Sequence, residues 1–216
     1  MKITDEKYRI YLDILNKELL TAMGCTEPIA VAFCAAKARQ IPGSMPDRVL
    51  AQVSGNIIKN VKSVIVPNTD GAKGIETAVA IGIAGGDPGK ELEVISSVTL
   101  AQKEQMREFL SRRFIKVEPL DSRYPLDIKI TVFSGDESAM VHIVNDHTNI
   151  VEIEKNSETV EHHDIEDVSK DEYEEYMQLS IEDIYDFADT CDIGDVCELL
   201  NRQIECNEAI SREGMS

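Results

Sequence analysis

The chain of 216 residues carries a formal net charge of −18, and 43% of its residues are apolar. This apolar fraction is enough for a core and excludes disorder throughout, while the negative charge argues against nucleic acid and anionic membranes as partners. No apolar run reaches the roughly 20 residues that span a bilayer. The first residues also lack the apolar segment of a signal peptide, so a cytoplasmic location is expected.

Apolar residues at helical spacing predict a first helix over residues 6–22. Thr26 is expected to cap a second helix, because Pro28 suits a first turn and the alanine-rich body Ile29–Arg39 follows. Further elements are predicted in chain order: a strand over Arg48–Ser54, a polar turn or short helix over residues 55–60, a strand over Val61–Val66, and helices over Ala72–Ala84 and Leu100–Arg113.

Residues 114–161 are predicted to form an antiparallel meander, and the pattern after Asp164 is helical. The predicted strands are Phe114–Glu118, Asp127–Phe133, Ala139–Asn145 and Ile150–Glu154, and the predicted helices are Lys170–Leu179, Ile181–Asp189 and Ile193–Glu213. The expected fold class is α+β, with alanine-rich helices packed on a mixed, largely antiparallel sheet and a helical C-terminal segment. Residues 1–161 are expected to form the α+β domain, and residues 162–216 an acidic helical segment, with a linker near 162–169.

Cys25 is the first candidate for chemistry, because it directly precedes a predicted helix. The backbone N–H groups and the dipole of a helix start favour a thiolate, whereas the carboxylate of Glu27 opposes it. Gly24 permits a backbone conformation or a close approach that a side chain would block. A buried structural cysteine at a helix start is the alternative.

Polar residues after the predicted strand Arg48–Ser54 form a second candidate site. Ser54, Asn56, Lys59 and Asn60 could bind a small carboxylate through hydrogen bonds and one point charge, although a polar turn that caps a short helix explains this segment better when it is taken alone. Two weaker candidates are the segment 68–71 with Thr69, which could present N–H groups to an anion, and His147, which could act as an acid or base.

The remaining cysteines and histidines give little sign of a metal site. Cys191, Cys197 and Cys206 would face different ways on one helix, since steps of six and nine residues rotate by about 240° and 180°. Cys34 on the alanine-rich helix is expected to be a small buried hydrophobe. The Glu161–Asp164 segment, with two histidines, could chelate a metal but is turn-like and acidic.

The chain resembles the amino-terminal part of the UPF0597 family, which includes iron–sulfur L-cysteine desulfidases and is related to the alpha chains of bacterial iron–sulfur L-serine dehydratases. The resemblance runs in order along nearly the whole chain, and its first two segments together are quite specific. The matching segments are Gly24–Ala30, Ser54–Val61, Val66–Thr69, His147–Val151 and Asn207–Gly214.

This resemblance implies α,β-elimination from a small L-amino acid, with an oxygen-sensitive 4Fe-4S cluster as Lewis acid and a base that removes the Cα proton. L-cysteine would give pyruvate, ammonia and sulfide, and L-serine would give water in place of sulfide. The family cysteine that matches Cys25 is implicated as the base or as a residue close to the cluster. Substrate binding is expected near Ser54, Asn56, Lys59, Asn60, Thr69 and His147.

Family members are about twice as long, and their cluster cysteines lie in the carboxy-terminal half. Cys191, Cys197 and Cys206 do not match those ligands. The chain is therefore expected to be a piece of a longer protein or one subunit of a split enzyme, inactive alone and without a cluster, with Cys25 as the one residue that could touch a metal. The expected partners are the small amino acid and the missing half, and a homo-oligomer is left open.

Three other functions remain open from the residues. One is an amino-acid-binding or regulatory module without chemistry. Another is a cysteine-nucleophile enzyme that uses Cys25 with His147, which requires the two side chains to lie within hydrogen-bond distance. A pyridoxal phosphate enzyme that uses Lys59 or Lys73 lacks a convincing phosphate cradle.

Overall fold

A computed structural model describes residues 1–165 and 174–215 of the chain. These residues fall into two compact units, one of residues 22–165 and one that combines residues 1–21 with the described C-terminal residues. The larger unit holds helices and a six-stranded sheet, which confirms the α+β class. The predicted helix Lys170–Leu179 and the predicted linker 162–169 lie partly outside the described residues.

The sheet of the larger unit has the strand order β2-β1-β3-β4-β5-β6. Strands β1 and β2 pair in parallel, and all other neighbours are antiparallel. The strands are β1 Arg48–Ser54, β2 Ile115–Leu120, β3 Asp127–Ser134, β4 Glu137–Val144, β5 Ile150–Lys155 and β6 Glu158–His162.

The predicted strands need three corrections. Val61–Val66 is not a strand, since a helix extends through Val61 and only an isolated bridge joins Ile65 to Lys73. Strand β2 is not part of a meander, because it pairs in parallel beside β1. Strand β6 was not predicted, and every residue in it is exposed, so it lacks the apolar alternation that marks a half-buried strand.

Helices with small residues pack on the buried face of the sheet. The helix α2 is buried almost all round, and a Cβ added to Gly82 on α4 would lie 2.2 Å from the carbonyl oxygen of Ala32. The two helix backbones can approach this closely only because Gly82 has no side chain. The helices of this unit are α2 Thr26–Gln40, α3 Gly55–Val61, α4 Ile75–Gly85 and α5 Leu100–Arg112, with a 3-10 turn at Pro88–Glu93.

The start of α2 differs from the prediction by one residue. Cys25, rather than Thr26, occupies the N-cap position with an extended backbone, and no side-chain hydrogen bond caps the helix. Thr26 is the first helical residue. The thiol of Cys25 therefore lies directly at the first turn of α2.

The described part of the smaller unit is helical, and its core contains the buried side chains of Tyr8, Tyr11, Phe187 and Val196. The ring centroids of Tyr8 and Phe187 are 5.3 Å apart, and the Tyr8 hydroxyl donates to Asp195 over 2.6 Å. No described helix in either unit is long and apolar enough to cross a membrane. The helices of the smaller unit are α1 Glu6–Glu18, α6 Ile181–Thr190 and α7 Ile193–Gly214.

Candidate functional site

The candidate residues of the larger unit meet at one end of the sheet. Strands β1 and β4 run in the same direction, because each is antiparallel to β3, so their carboxyl ends lie at the same edge. Helix α3 follows β1 directly, and His147 follows β4 by three residues. The Asn60 side chain on α3 donates to Glu27 in the first turn of α2 over 3.1 Å. This contact joins the second segment of the site to the first.

The thiol of Cys25 is bonded within this junction. Its Sγ donates to Oε2 of Glu27 over 3.1 Å, while Oε1 of the same carboxylate accepts from Asn60. Gly24 has a φ of +111°, which favours glycine, and a Cβ there would lie 3.8 Å from Cγ of Pro67. The segment that precedes Cys25 therefore runs beside the Pro67 turn, and the carboxylate of Glu27 is held from two sides.

The charge of the pair resides on Glu27. Partial burial, the hydrogen bond to Glu27 and the negative charge of that carboxylate raise the pKa of the Cys25 thiol above its ordinary value. The hydrogen bond from Cys25, with further contributions from Asn60 and His147, lowers the pKa of Glu27. The helix start therefore does not produce a resting thiolate here, and at neutral pH a protonated thiol faces an ionised carboxylate.

Helix α3 presents a polar side next to this pair. Asn56, Lys59 and Asn60 are three and four residues apart and are therefore neighbours on the helix surface. Asn56 and Lys59 are exposed, and Asn60 is half-buried. An ammonium and two amides next to an ionisable pair can bind the carboxylate and amino groups of a small molecule.

Two predicted site hydroxyls have backbone partners inside the protein. Ser54 is buried, donates to the carbonyl of Pro125 over 2.6 Å and accepts from the N–H of Ile57 as N-cap of α3. Thr69 is buried and donates within its own turn to the carbonyl of Val66 over 2.6 Å. The hydroxyls of Ser54 and Thr69 are therefore already bonded to backbone groups, whereas Asn56 and Lys59 on α3 are exposed.

The turn around Thr69 is also held by side-chain contacts to other parts of the larger unit. Asn68 donates to the carbonyl of Ile95 over 2.9 Å. The Asp70 carboxylate binds Lys103 at 2.6 Å and Arg107 at 2.5 Å. The side chain of Asp70 in this segment is thus paired with two cations, and α4 begins only at Ile75.

His147 is near Glu27 and is not the hydrogen-bond partner of the thiol. It is half-buried and acts electrostatically on Glu27, whereas the hydrogen bond of Cys25 goes to Glu27. Among the described residues, the hydrogen-bond partner of the Cys25 thiol is therefore the carboxylate of Glu27 and not the imidazole of His147.

In the described part of the chain, the thiols do not form the ligand set of a 4Fe-4S cluster. Such clusters use several cysteine thiolates, and the described residues contain no group of three or more His, Cys, Asp or Glu side chains that could hold a metal ion. Cys25 is exposed, while Cys34 is buried with its Sγ 3.3 Å from the carbonyl of Val141. Cys25 alone provides one ligand at most.

Glu27 is the residue whose role the sequence did not reveal. The sequence indicates only that its negative charge disfavours a thiolate at Cys25. In the structure its carboxylate accepts hydrogen bonds from Cys25 and Asn60. The available signal was its spacing of two residues from Cys25 across a helix start. The bond to Asn60 joins residues 33 positions apart, which local patterning does not predict.

Comparison with known proteins finds longer chains that are similar to this one. No protein-family model matches the chain. It is 49% identical over 215 residues to a UPF0597 protein of Desulfitobacterium hafniense, which covers 100% of this chain and 50% of that protein. It is 43% identical over 208 residues to a UPF0597 protein of Lachnoclostridium phytofermentans, with 96% of this chain and 50% of the relative covered.

A UPF0597 protein of Treponema denticola is 39% identical over 216 residues, again with 100% of this chain and 50% of the relative covered. The chain thus spans about half the length of the curated relatives it matches. Over its whole length, this chain is similar to one half of the UPF0597 proteins of these bacteria.

Proposed function

We propose that this chain is the amino-terminal half of a lyase that performs α,β-elimination on L-cysteine or L-serine. The observation that carries the proposal is the Cys25–Glu27 pair at the start of α2, with the amide of Asn60 bonded to the same carboxylate. An elimination needs a base at Cα and groups that hold the amino acid. The pair and the polar side of α3 offer both.

The polar side of α3 would orient the substrate. The ammonium of Lys59 is suited to the substrate carboxylate as a point charge, and the amide of Asn56 is suited to hydrogen bonding of the same group. Both side chains are exposed and lie within one helical turn of Asn60. This arrangement would direct Cα of the bound amino acid toward Cys25.

The Cys25–Glu27 pair would take one proton from the substrate. As Sγ accepts the Cα proton, the thiol proton passes to Oε2 of Glu27, so the pair gains one proton in total. The Cα–H and Cβ–S bonds, or Cβ–O in L-serine, break as the Cα–Cβ double bond forms. The aminoacrylate then takes up water to give pyruvate and ammonia. The proton that the pair gained passes to the departing HS⁻ or hydroxide, which leaves as hydrogen sulfide or water.

The 4Fe-4S cluster implied by the family resemblance would belong to the other half of the protein, since the thiols described here do not form a ligand set. The chain alone would then bind no stable cluster and release no sulfide. Anaerobic reconstitution of this chain with iron and sulfide tests this point. A stoichiometric 4Fe-4S absorbance, or sulfide release from L-cysteine by the chain alone, would contradict the proposal.

The elimination itself is tested in a complete protein that contains this chain's Cys25 and Glu27. Anaerobic assays should detect pyruvate and sulfide from L-cysteine, and Cys25→Ala should abolish both products. Binding of L-cysteine or L-serine without turnover would instead favour an amino-acid-binding module. A cysteine nucleophile would be favoured by labelling of Cys25 with a substrate-like electrophile that depends on His147.

A further inference from the structure

The smaller unit exposes apolar side chains that its own core does not use. Its buried core consists of Tyr8, Tyr11, Phe187 and Val196. On α6, however, Ile181 is 83% exposed, and large apolar side chains are exposed on α7 as well. Single exposed apolar residues are ordinary, but a concentration of them on two consecutive helices marks an interaction surface.

The exposed residues of α6 share one side of the helix. Ile181, Ile184 and Tyr185 are three and four residues apart and are therefore neighbours on the surface, and Tyr185 is 74% exposed. Phe187 lies three residues after Ile184, about 60° round the helix from it, and packs in the core with Tyr8. The apolar side of α6 is therefore wider than the part that is packed within the unit.

An apolar stripe of α7 continues beyond the packed part of the unit. Val196, Leu200 and Ile204 follow each other at steps of four residues and lie on one side of the helix. Val196 is buried in the core, whereas Leu200 is 38% and Ile204 54% exposed. The stripe therefore extends past the point at which the unit's own packing ends.

We infer that these exposed sides of α6 and α7 are the docking surface for the other half of the protein, the part of UPF0597 relatives that this chain does not match. We call the set of Ile181, Ile184, Tyr185, Leu200 and Ile204 the α6–α7 apolar surface. The relatives are about twice as long as the stretch they share with this chain. The part of each relative outside this stretch is therefore about as large as this chain. The inference is independent of the elimination chemistry.

The charge of the same helices favours this occupant over a second copy of the chain. Helix α6 carries four acidic residues and no basic one, and two of the four, Asp183 and Asp186, pair with Lys7 and the N-terminal ammonium. Helix α7 carries five acidic and two basic residues. A twofold dimer through this surface would place two acidic rims against each other. The geometry points instead to a partner with an apolar patch rimmed by lysine and arginine.

The test uses this chain and, as the probe, the unmatched half of the Desulfitobacterium hafniense relative produced as a separate polypeptide. Size-exclusion chromatography with light scattering should show a one-to-one complex, and titration calorimetry should give its affinity. Tyr185→Glu and Ile204→Glu should each weaken binding by about tenfold or more. Added salt should also weaken binding, because the rim is charged.

Ala209→Glu is the matched control, since Ala209 is exposed on α7 and lies about 140° round the helix from Ile204. It should leave binding unchanged. Tyr185→Ala serves as a variant without added charge, and circular dichroism verifies the helix content of each protein. Absence of a complex, equal binding by Tyr185→Glu and Ala209→Glu, or a homodimer that Tyr185→Glu dissociates would each overturn the inference.

Discussion

The thiol of Cys25 donates to the carboxylate of Glu27 across 3.1 Å, within the first turn of α2. The same carboxylate accepts from Asn60 on α3, so the pair is fixed between two helices rather than free in solution. Its hydrogen-bonding pattern keeps the proton on sulfur and the charge on oxygen. The reactivity of Cys25 should therefore depend on Glu27 more than on the helix start.

Replacing Glu27 should change the acidity of Cys25. Glu27→Gln removes the negative charge and the carboxylate acceptor, two of the factors that raise the pKa of Cys25, so this pKa should fall. The rate of alkylation of Cys25 by iodoacetamide, followed by mass spectrometry as a function of pH, measures the change. The rate profile of Glu27→Gln should move to lower pH.

Glu137→Gln is the matched control for this experiment. Glu137 is the first residue of β4, whose 8 residues span about 26 Å, and His147 follows the other end of this strand. The substitution therefore removes the same charge far from the thiol. Its alkylation profile should coincide with that of the unmodified chain. A Glu27→Gln profile that is unchanged, or that moves to higher pH, would show that Glu27 does not control the thiol.

The pair should also leave a signature in the pH dependence of stability. Folding lowers the pKa of Glu27 and raises that of Cys25. The Glu27 contribution is therefore present above its unfolded pKa of about 4.3 and lost as pH falls through the folded value. The Cys25 contribution is present below about 8.5 and lost as pH rises through its folded value.

Thermal unfolding of the unmodified chain and of Glu27→Gln over a range of pH tests this window. The difference in Tm should be largest between about pH 5 and 8 and should shrink toward acid. A difference that grows as the pH falls below 4 would contradict the assigned ionisation of Glu27.

Gly82→Ala should destabilise the larger unit strongly. The added Cβ would lie 2.2 Å from the carbonyl oxygen of Ala32, so α2 and α4 would have to move apart. The expected loss in the free energy of unfolding is about 1–3 kcal/mol or more, measured by guanidinium denaturation. Gly214→Ala on α7 is the control, because a Cβ there meets nothing within 4 Å, and it should leave stability unchanged or slightly increased.

Cys34 should be protected from thiol reagents in the folded chain. Its side chain is fully buried, and burial raises the pKa of its thiol. Iodoacetamide should label Cys25 in the native protein and leave Cys34 unlabelled, while all 5 cysteines react in urea. Native labelling of Cys34 at a rate similar to that of Cys25 would show that the core opens readily.

Lys59→Gln should weaken substrate binding in a complete enzyme that contains this chain. The proposed role of Lys59 is to bind the substrate carboxylate in the ground state and the transition state alike, so KM for L-cysteine should rise about tenfold or more with little change in kcat. Lys155→Gln on β5 is the control, because it removes the same charge at a residue that pairs with Glu137, far from the site. It should leave KM and kcat unchanged. A fall in kcat at constant KM would assign Lys59 a different role.

Much of the fold could be predicted from local patterns. The alanine-rich helices, the strand Arg48–Ser54 and the last two described helices have boundaries close to the predicted ones, because each carries a regular apolar pattern in the sequence. Pairing was harder to predict. Strand β2 joins β1 in parallel through residues such as Val49 and Ile115, a contact between positions that no local pattern links. Strand β6 has no buried side to detect.

The site was predictable in its members but not in their bonds. The sequence pointed to Cys25 and Asn60, and the structure places both on the carboxylate of Glu27. The protonation of Cys25 depends on burial and on this carboxylate, which are properties of the assembled helices. Nothing in the sequence indicated that the hydroxyls of Ser54 and Thr69 would donate hydrogen bonds to backbone carbonyls.

The ring contact between Tyr8 and Phe187 joins residues that are far apart in the sequence, and this has a consequence for synthesis on the ribosome. Helix α1 is made before the larger unit, whereas its core partners on α6 and α7 are made after it. The larger unit can fold while synthesis continues, since domains generally fold as units. During that interval Tyr8 and Tyr11 have no core to enter, so α1 is a segment that a chaperone would have to shield until α6 and α7 emerge.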